Sequence, residues 1–349
     1  MRIAQVAPIN ESVPPRLYGG TERVVSYLTE ELVRLGHDVT LFASGDSISS
    51  AELVASVPQA LRLSETTDTL SCYVLQLEQV RQRARKFDII HFHDNLMYFP
   101  LVRAGLGANT VSTLHGRLDL PIHQWAFSAF PEMPVVSISR SQRLPLSIAN
   151  WVGNVYHGLP ADVCKFRSRP SEDYVAFLGR LSPEKGVDRA IEVARRAGIK
   201  LRIAGKVDVV DKAYFRECIE PRLNSAQVEF LGEIDEREKA SFLGNARAVL
   251  FPITWPEAFG LVLIEAMNTG TPVIAWRHAS VPEVVDDGVT GVLVETIDEA
   301  VEAIDRVSIL DRELVRERSQ QRFSVERMAR DYLSIYDTLV KRDMRPIAT

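Results

Sequence analysis

Arg180 and Lys185 stand in the segment LGRLSPEKG at 178–186, where Gly179 and Pro183 shape a short turn. An arginine offers a planar fork and a lysine a point charge, and side by side they can clamp a diphosphate. The competing reading is a solvated turn with surface charges. Farther along, TWPEAFGLVLIEAMNTG at 254–270 carries Glu257 and Glu265. Glu265 lies among Leu261, Val262, Leu263, Ile264, Ala266 and Met267. A carboxylate in so apolar a helix is either desolvated against a partner or faces a polar cleft. Phe259, Gly260 and Leu261 would offer backbone N–H groups at the start of that helix. As a glycoside-hydrolase pair the two glutamates fit poorly. Eight residues of helix rise about 12 Å, whereas hydrolase carboxylates stand about 5–9.5 Å apart. The loop position of Glu257 leaves that comparison open without favouring hydrolysis.

Two further groups lie nearer the N-terminus. Tyr18-Gly19-Gly20-Thr21 precedes a helical pattern. Glycines at a helix start let backbone N–H groups approach an anion, with a flexible loop capped by Thr21 as the alternative. Neither G-x-G-x-x-G nor a P-loop occurs. Of the seven histidines, His37, His91, His93, His115, His123 and His157 fall in the first half. His115 ends the run TVSTLH and points to the mouth of a cleft. His91 reads as a buried, hydrogen-bonded strand residue, and His93 or Asp94 as lining the cleft. A metal site built on His91, His93 and Asp94 lacks a specified further ligand, so no metal is expected.

The elements that would position these residues alternate. Apolar runs at 2–8, 38–44, 88–93, 110–115, 134–139 and 154–158 read as strands, with amphipathic segments between most of them. After the polar stretch 165–173 the pattern restarts with DYVAFLG, LRIAG, QVEFLG, AVLFP and PVIAW. Helices are expected near 185, 211–222, 235–245 and 259–269. The Ser/Thr-rich stretch 45–69 has no clear pattern, and 297–341 is helical without strands. Such alternation predicts an α/β protein of two doubly wound, Rossmann-like domains with parallel sheets, facing a central cleft. Ligands in these sheets sit beyond the carboxyl ends of the strands. The expected domains are 1–160, 161–322 and a final helical segment, 323–349.

Length and charge agree. The chain has 349 residues, enough for about two cores. With 41 basic and 46 acidic residues the net charge is −5, which argues against wrapping nucleic acid. Three scattered cysteines make neither a disulfide framework nor a zinc spacing. MRIAQVAPIN shows no apolar run behind a basic flank, so no export signal and a cytoplasmic location are expected. The basic run Arg81, Arg83, Arg85, Lys86 reads as a solvated helix end rather than a lipid contact.

Together these motifs resemble the retaining glycosyltransferases of sequence family four, which have the GT-B fold. The matching pieces are Gly19-Gly20, His115, GRLSPEKG at 179–186, IAG at 203–205 and PEAFGLVLIEAM at 256–267. Where many members read Asn-Gly-Val-Asp at the domain crossover, this chain has His157-Gly158-Leu159-Pro160.

The resemblance implies a metal-independent, retaining hexosyltransferase acting in glycan biosynthesis, with a nucleotide-sugar donor and no cofactor. Arg180 and Lys185 would bind the donor diphosphate, with a backbone contact from the Gly19-Gly20 pair. Glu265 would accept hydrogen bonds from the ribose and Glu257 would face the sugar hydroxyls. Phe259, Gly260 and Leu261 would supply backbone groups, and His115 would lie near the sugar and leaving phosphate. Gly205 and the Gly232-Glu233 turn would line the nucleotide pocket. Tyr18, His93 and Asp94 are the acceptor-side candidates. UDP-sugars, then GDP-mannose, are the expected donors. The acceptor is an unidentified glycan, lipid or small-molecule hydroxyl, with a peripheral membrane visit left open. The alternatives are a two-lobed sugar-binding protein without activity and a sugar-nucleotide epimerase.

Overall fold

In the computed structural model, which describes residues 1–93, 96–106, 109–223 and 226–343, the apolar runs form strands buried on both faces. This is the pattern that parallel sheets covered by helices require. The chain divides into two compact units: one comprises Met1–Gly158 and the segment from Val325 onward, the other Leu159–Ser324.

In the first unit the strands are β1 (Arg2–Val6), β2 (Asp38–Ser44), β3 (Glu52–Val57), β4 (Ile89–Phe92), β5 (Asn109–Thr113), β6 (Pro134–Ser137) and β7 (Asn150–Asn154). They form one sheet in the order β3-β2-β1-β4-β5-β6-β7, parallel throughout. The order reverses between β1 and β4, so the loops after those strands diverge and leave a crevice at their carboxyl ends. Phe42, Phe92, Phe99 and Phe127 fill the core on one side. On the other side the terminal helix Val325–Asp343 buries Tyr332 and Tyr336 completely.

The second unit repeats the plan. Its strands are β8 (Tyr174–Leu178), β9 (Lys200–Ala204), β10 (Val228–Phe230), β11 (Ala248–Phe251), β12 (Val273–Trp276) and β13 (Gly291–Val294). The order is β10-β9-β8-β11-β12-β13, again parallel, with the reversal between β8 and β11. Two parallel α/β sheets of this order are the two doubly wound, Rossmann-like units expected from the sequence.

Four expectations are corrected. The strand expected at 154–158 lies at Asn150–Asn154, because pairing with β6 sets Pro134 opposite Asn150. The patternless stretch 45–69 contains β3, an edge strand in register with β2. The short edge strand β13 was not anticipated either. The expected helix at 211–222 is a succession of 3-10, α and π turns, the last of them Glu220–Arg222, where Pro221 has no N–H to continue the helical ladder from the turn before. Among the described residues no helix is long and apolar enough to cross a membrane.

Candidate functional site

The polar groups of the second unit gather where its topology leaves room. Arg180 and Lys185 occupy the turn after β8, and Glu257 the loop after β11; these strands are neighbours at the reversal. The Lys185 ammonium pairs with the Glu257 carboxylate and lies 5.5 Å from the Trp255 ring centre. Trp255 Nε1 donates to the same carboxylate at 3.4 Å. The two loops are also tied by backbone, Thr254 N–H donating to the Glu184 carbonyl at 3.3 Å. Gly186, with φ of 73°, is held there because a Cβ would stand 2.3 Å from the Pro252 carbonyl oxygen.

Arg180 sits among acids. It pairs with Glu184 and has Asp211 at 3.5 Å and Asp208 at 3.8 Å. Burial raises the Asp211 carboxyl above its usual range, against the pull of Arg180. Any anion taking the arginine must therefore replace carboxylates already present. None of these three acids was singled out from sequence, although Glu184 stands four places after Arg180.

Gly205 follows β9 with φ of 155°, and a Cβ there would lie 1.8 Å from the Gly179 carbonyl oxygen. Its N–H donates to the Gly232 carbonyl at 2.8 Å. Three strand ends thus meet as bare backbone. Glu233 is exposed beside them. The helix Leu261–Asn268 begins after Gly260, which supplies no side-chain cap. Its first-turn N–H groups consequently lack a side-chain acceptor at the cap. The Phe259 ring is buried against Phe323, so only its backbone is presented.

Glu265, 3% exposed, has the first of the two environments its apolar helix allowed. Lys239, itself buried, donates to Glu265 Oε1 at 2.5 Å and lies 3.0 Å from Glu236. Lys239 was missed by sequence reasoning. Its i,i+3 relation to Glu236 was visible, but its partner on a helix 26 residues away was not.

In the first unit the histidines form a connected set. His115, after β5, lies 3.0 Å (Nε2) from His93 Nδ1; His93 Nε2 lies 2.6 Å from Gln5 Oε1. His91 contacts Tyr336 Oη and Thr113 Oγ1, each at 2.7 Å. His157 stacks on His115 with ring centres 5.4 Å apart. Burial pushes His115 down to about 3. Burial, then neighbouring imidazoles, holds His91, His93 and His157 well below the ordinary value. His93 and His115 line a cavity of about 410 Å³ together with Asn10, Thr21, Glu22 and Arg117. Among the described residues no three His, Cys, Asp or Glu side chains are grouped to hold a metal ion.

Gly19 precedes the helix Gly20–Arg34; a Cβ on it would lie 2.7 Å from Pro15, whereas Gly20 faces open space. Tyr18 is exposed, with the Arg62 guanidinium 5.8 Å from its ring centre. Asp94 lies outside the described residues.

Comparison with known proteins accords with this geometry. The model for glycosyl transferases group 1 matches residues 162–322, and that for glycosyltransferase family 4 matches residues 18–151. Phosphatidyl-myo-inositol mannosyltransferase of Mycobacterium leprae is 24% identical, with 97% of each chain covered. Sucrose-phosphate synthase of Thermosynechococcus elongatus superposes with a TM-score of 0.81 at 19% identity, over 98% of this chain and all of the other, 100%. Anabaena HepE in complex with UDP-glucose gives 0.72 at 19% identity, over 98% of this chain and 100% of that one. Matched by these models along both units, the chain belongs to the family-four glycosyltransferases of GT-B fold.

Proposed function

We propose that this glycosyltransferase moves a hexosyl group from a nucleoside-diphosphate sugar to a hydroxyl acceptor with retention of configuration and without a metal ion. A UDP-sugar is the first candidate donor and GDP-mannose the second. The observation carrying this reading is the convergence of Lys185, Glu257 and the uncapped start of the helix Leu261–Asn268 at the β8/β11 reversal. Support for the donor class comes from the UDP-glucose complex of HepE and the mannosyltransferase relative.

In this reading Arg180 and Lys185 take the diphosphate and Glu257 takes the sugar hydroxyls that compete for Lys185. Phe259, Gly260 and Leu261 give backbone N–H groups to the phosphate. Positive charge and helix N–H groups fixed before reaction stabilise the charge that develops on the leaving diphosphate. Glu265, its Oε1 held by Lys239, receives the ribose on its other oxygen, and Gly205 with Glu233 borders the base. In the first unit, Gly19 and Gly20 approach the diphosphate, His115 orients the sugar, and Tyr18, His93 and Asp94 serve the acceptor side. The bond from the anomeric carbon to the phosphate oxygen breaks, its electron pair leaving with the diphosphate. The acceptor oxygen bonds to the same face, and its proton passes to the leaving phosphate oxygen.

The test is thermal unfolding with UDP, GDP, ADP and their common sugar conjugates, with and without EDTA. A ligand that binds only the native state raises the melting temperature. A rise with one nucleotide, unchanged by EDTA, is expected. A chelator-sensitive rise would reject metal independence, and no rise with any ligand would reject the donor site.

A further inference from the structure

Gln5 is the one buried polar residue of the strand RIAQV, whose other polar residue, Arg2, is exposed at its start. Its register opposite His91 places its amide at the meeting point of two hydrogen-bonded branches. One branch runs from Gln5 Oε1 to His93 Nε2 (2.6 Å) and from His93 Nδ1 to His115 Nε2 (3.0 Å). The other runs from Gln5 Nε2 to Tyr336 Oη (3.2 Å), then to His91 Nδ1 (2.7 Å), and from His91 Nε2 to Thr113 Oγ1 (2.7 Å). The terminal helix, through Tyr336, closes the second branch.

A neutral imidazole has one donor and one acceptor nitrogen, and an amide has one end of each kind. The directions of all these bonds are therefore linked. With Gln5 Oε1 accepting, His93 is protonated on Nε2 and its Nδ1 accepts from His115 Nε2–H. His115 Nδ1 is then a lone pair. Reversing the amide reverses every bond and puts the His115 proton on Nδ1. That atom is buried without a hydrogen-bond partner. Folded proteins leave buried N–H groups orphaned less readily than acceptors, so the first direction is the stable one.

We propose that Gln5 is a positioning residue for glycosyl transfer, its amide acting through His93 to fix His115 as the tautomer protonated on Nε2. The inference rests on the role given to His115 under the proposed function, although the tautomer itself does not depend on that role. His115 gives its N–H inward to His93, so it can orient a sugar but has no proton to pass to a leaving group. Burial and the neighbouring imidazoles keep His93 neutral, as the chain requires.

The experiment is a long-range proton–nitrogen NMR correlation on protein carrying 15N-histidine, with the His115 signals identified by their loss in His115→Phe. An imine-type Nδ1 and a pyrrole-type Nε2 are expected. A proton on Nδ1 in the parent protein overturns the proposal. Gln5→Leu removes the acceptor for His93, so His115 is expected to gain Nδ1 protonation. With it kcat falls about tenfold while the donor KM stays within about twofold. Gln5→Glu still accepts from His93 Nε2–H and is expected to keep both the tautomer and kcat. Leucine at 5 with unchanged His115 signals and unchanged kcat would also overturn it. If the leucine variant does not fold, the parent and glutamate spectra decide alone. Because the spectra are read without substrate, they stand apart from the nucleotide melting series.

Discussion

Lys185 and Glu257 form an ion pair although 72 positions separate them, because the turns that carry them follow adjacent strands at the reversal of one sheet. Each is mostly screened from water, with side-chain exposures of 20% and 15%. The pair holds the lysine in place before any ligand arrives. Lys185→Ala is expected to lower kcat/KM by about 10²–10³, the scale for losing one preorganised donor. It should also abolish the melting-temperature rise given by the nucleoside diphosphate. A variant that binds UDP or GDP like the parent would remove Lys185 from the clamp.

The Lys239–Glu265 pair is buried on both sides, with side chains 10% and 3% exposed. Removing one member strands a charge in a medium that solvates it poorly. Lys239→Met is expected to cost about 3–5 kcal/mol in denaturant unfolding. Adding Glu265→Leu should recover most of that loss, since an apolar pair leaves no charge to bury. A double variant no more stable than Lys239→Met would show that the glutamate is solvated by other groups.

His91, His93, His115 and His157 all titrate below the ordinary imidazole value in the folded chain, chiefly through burial. Their contribution to stability is complete above about pH 6.5 and is lost as pH falls toward the folded values, because the unfolded chain then binds more protons. Between pH 6.5 and 5 each can remove up to about 1.4 kcal/mol per pH unit. Urea unfolding at these two pH values should show a steep loss at the lower one. A flat profile would mean that the imidazoles charge without unfolding the first unit.

Tyr332 and Tyr336 are fully buried in the first unit and hydrogen-bond to Thr113, Gln5 and His91. Gly153 leaves room for Ile335 of the same helix; a Cβ there would stand 2.3 Å from Ile335 Cδ1. Ending the chain at Ser324 would uncover this face and leave its polar groups without partners. The truncated chain is expected to melt at lower temperature, with the loss confined to the first unit by hydrogen exchange. Unchanged melting would mean that the helix adds nothing to that unit.

Both sheets were legible because β1, β4, β8 and β11 are apolar runs that only a doubly covered parallel sheet can bury. The loops bearing Arg180, Lys185 and Glu257 were legible for the same reason, since such sheets display their loops at the carboxyl ends. The edge strands β3 and β13 were not. ELVASV exposes Glu52 and Ala55 and lacks a continuous apolar run, GVLV lies past the last strand read from the alternation, and only pairing with β2 and β12 makes them strands. Lys239 and Gln5 escaped for a different reason. Their partners are set by packing between helices or by register between strands, and neither is written in local spacing.

Leu159 N–H donates to the Phe323 carbonyl at 2.8 Å, so the second unit begins and ends at one spot. It is a continuous insertion within a discontinuous first unit. During synthesis the insertion is complete as soon as Ser324 has left the ribosome. The first unit, although begun earlier, must wait for the helix Val325–Asp343 to cover Gln5, His91 and Thr113. The half of the protein translated first is thus finished last.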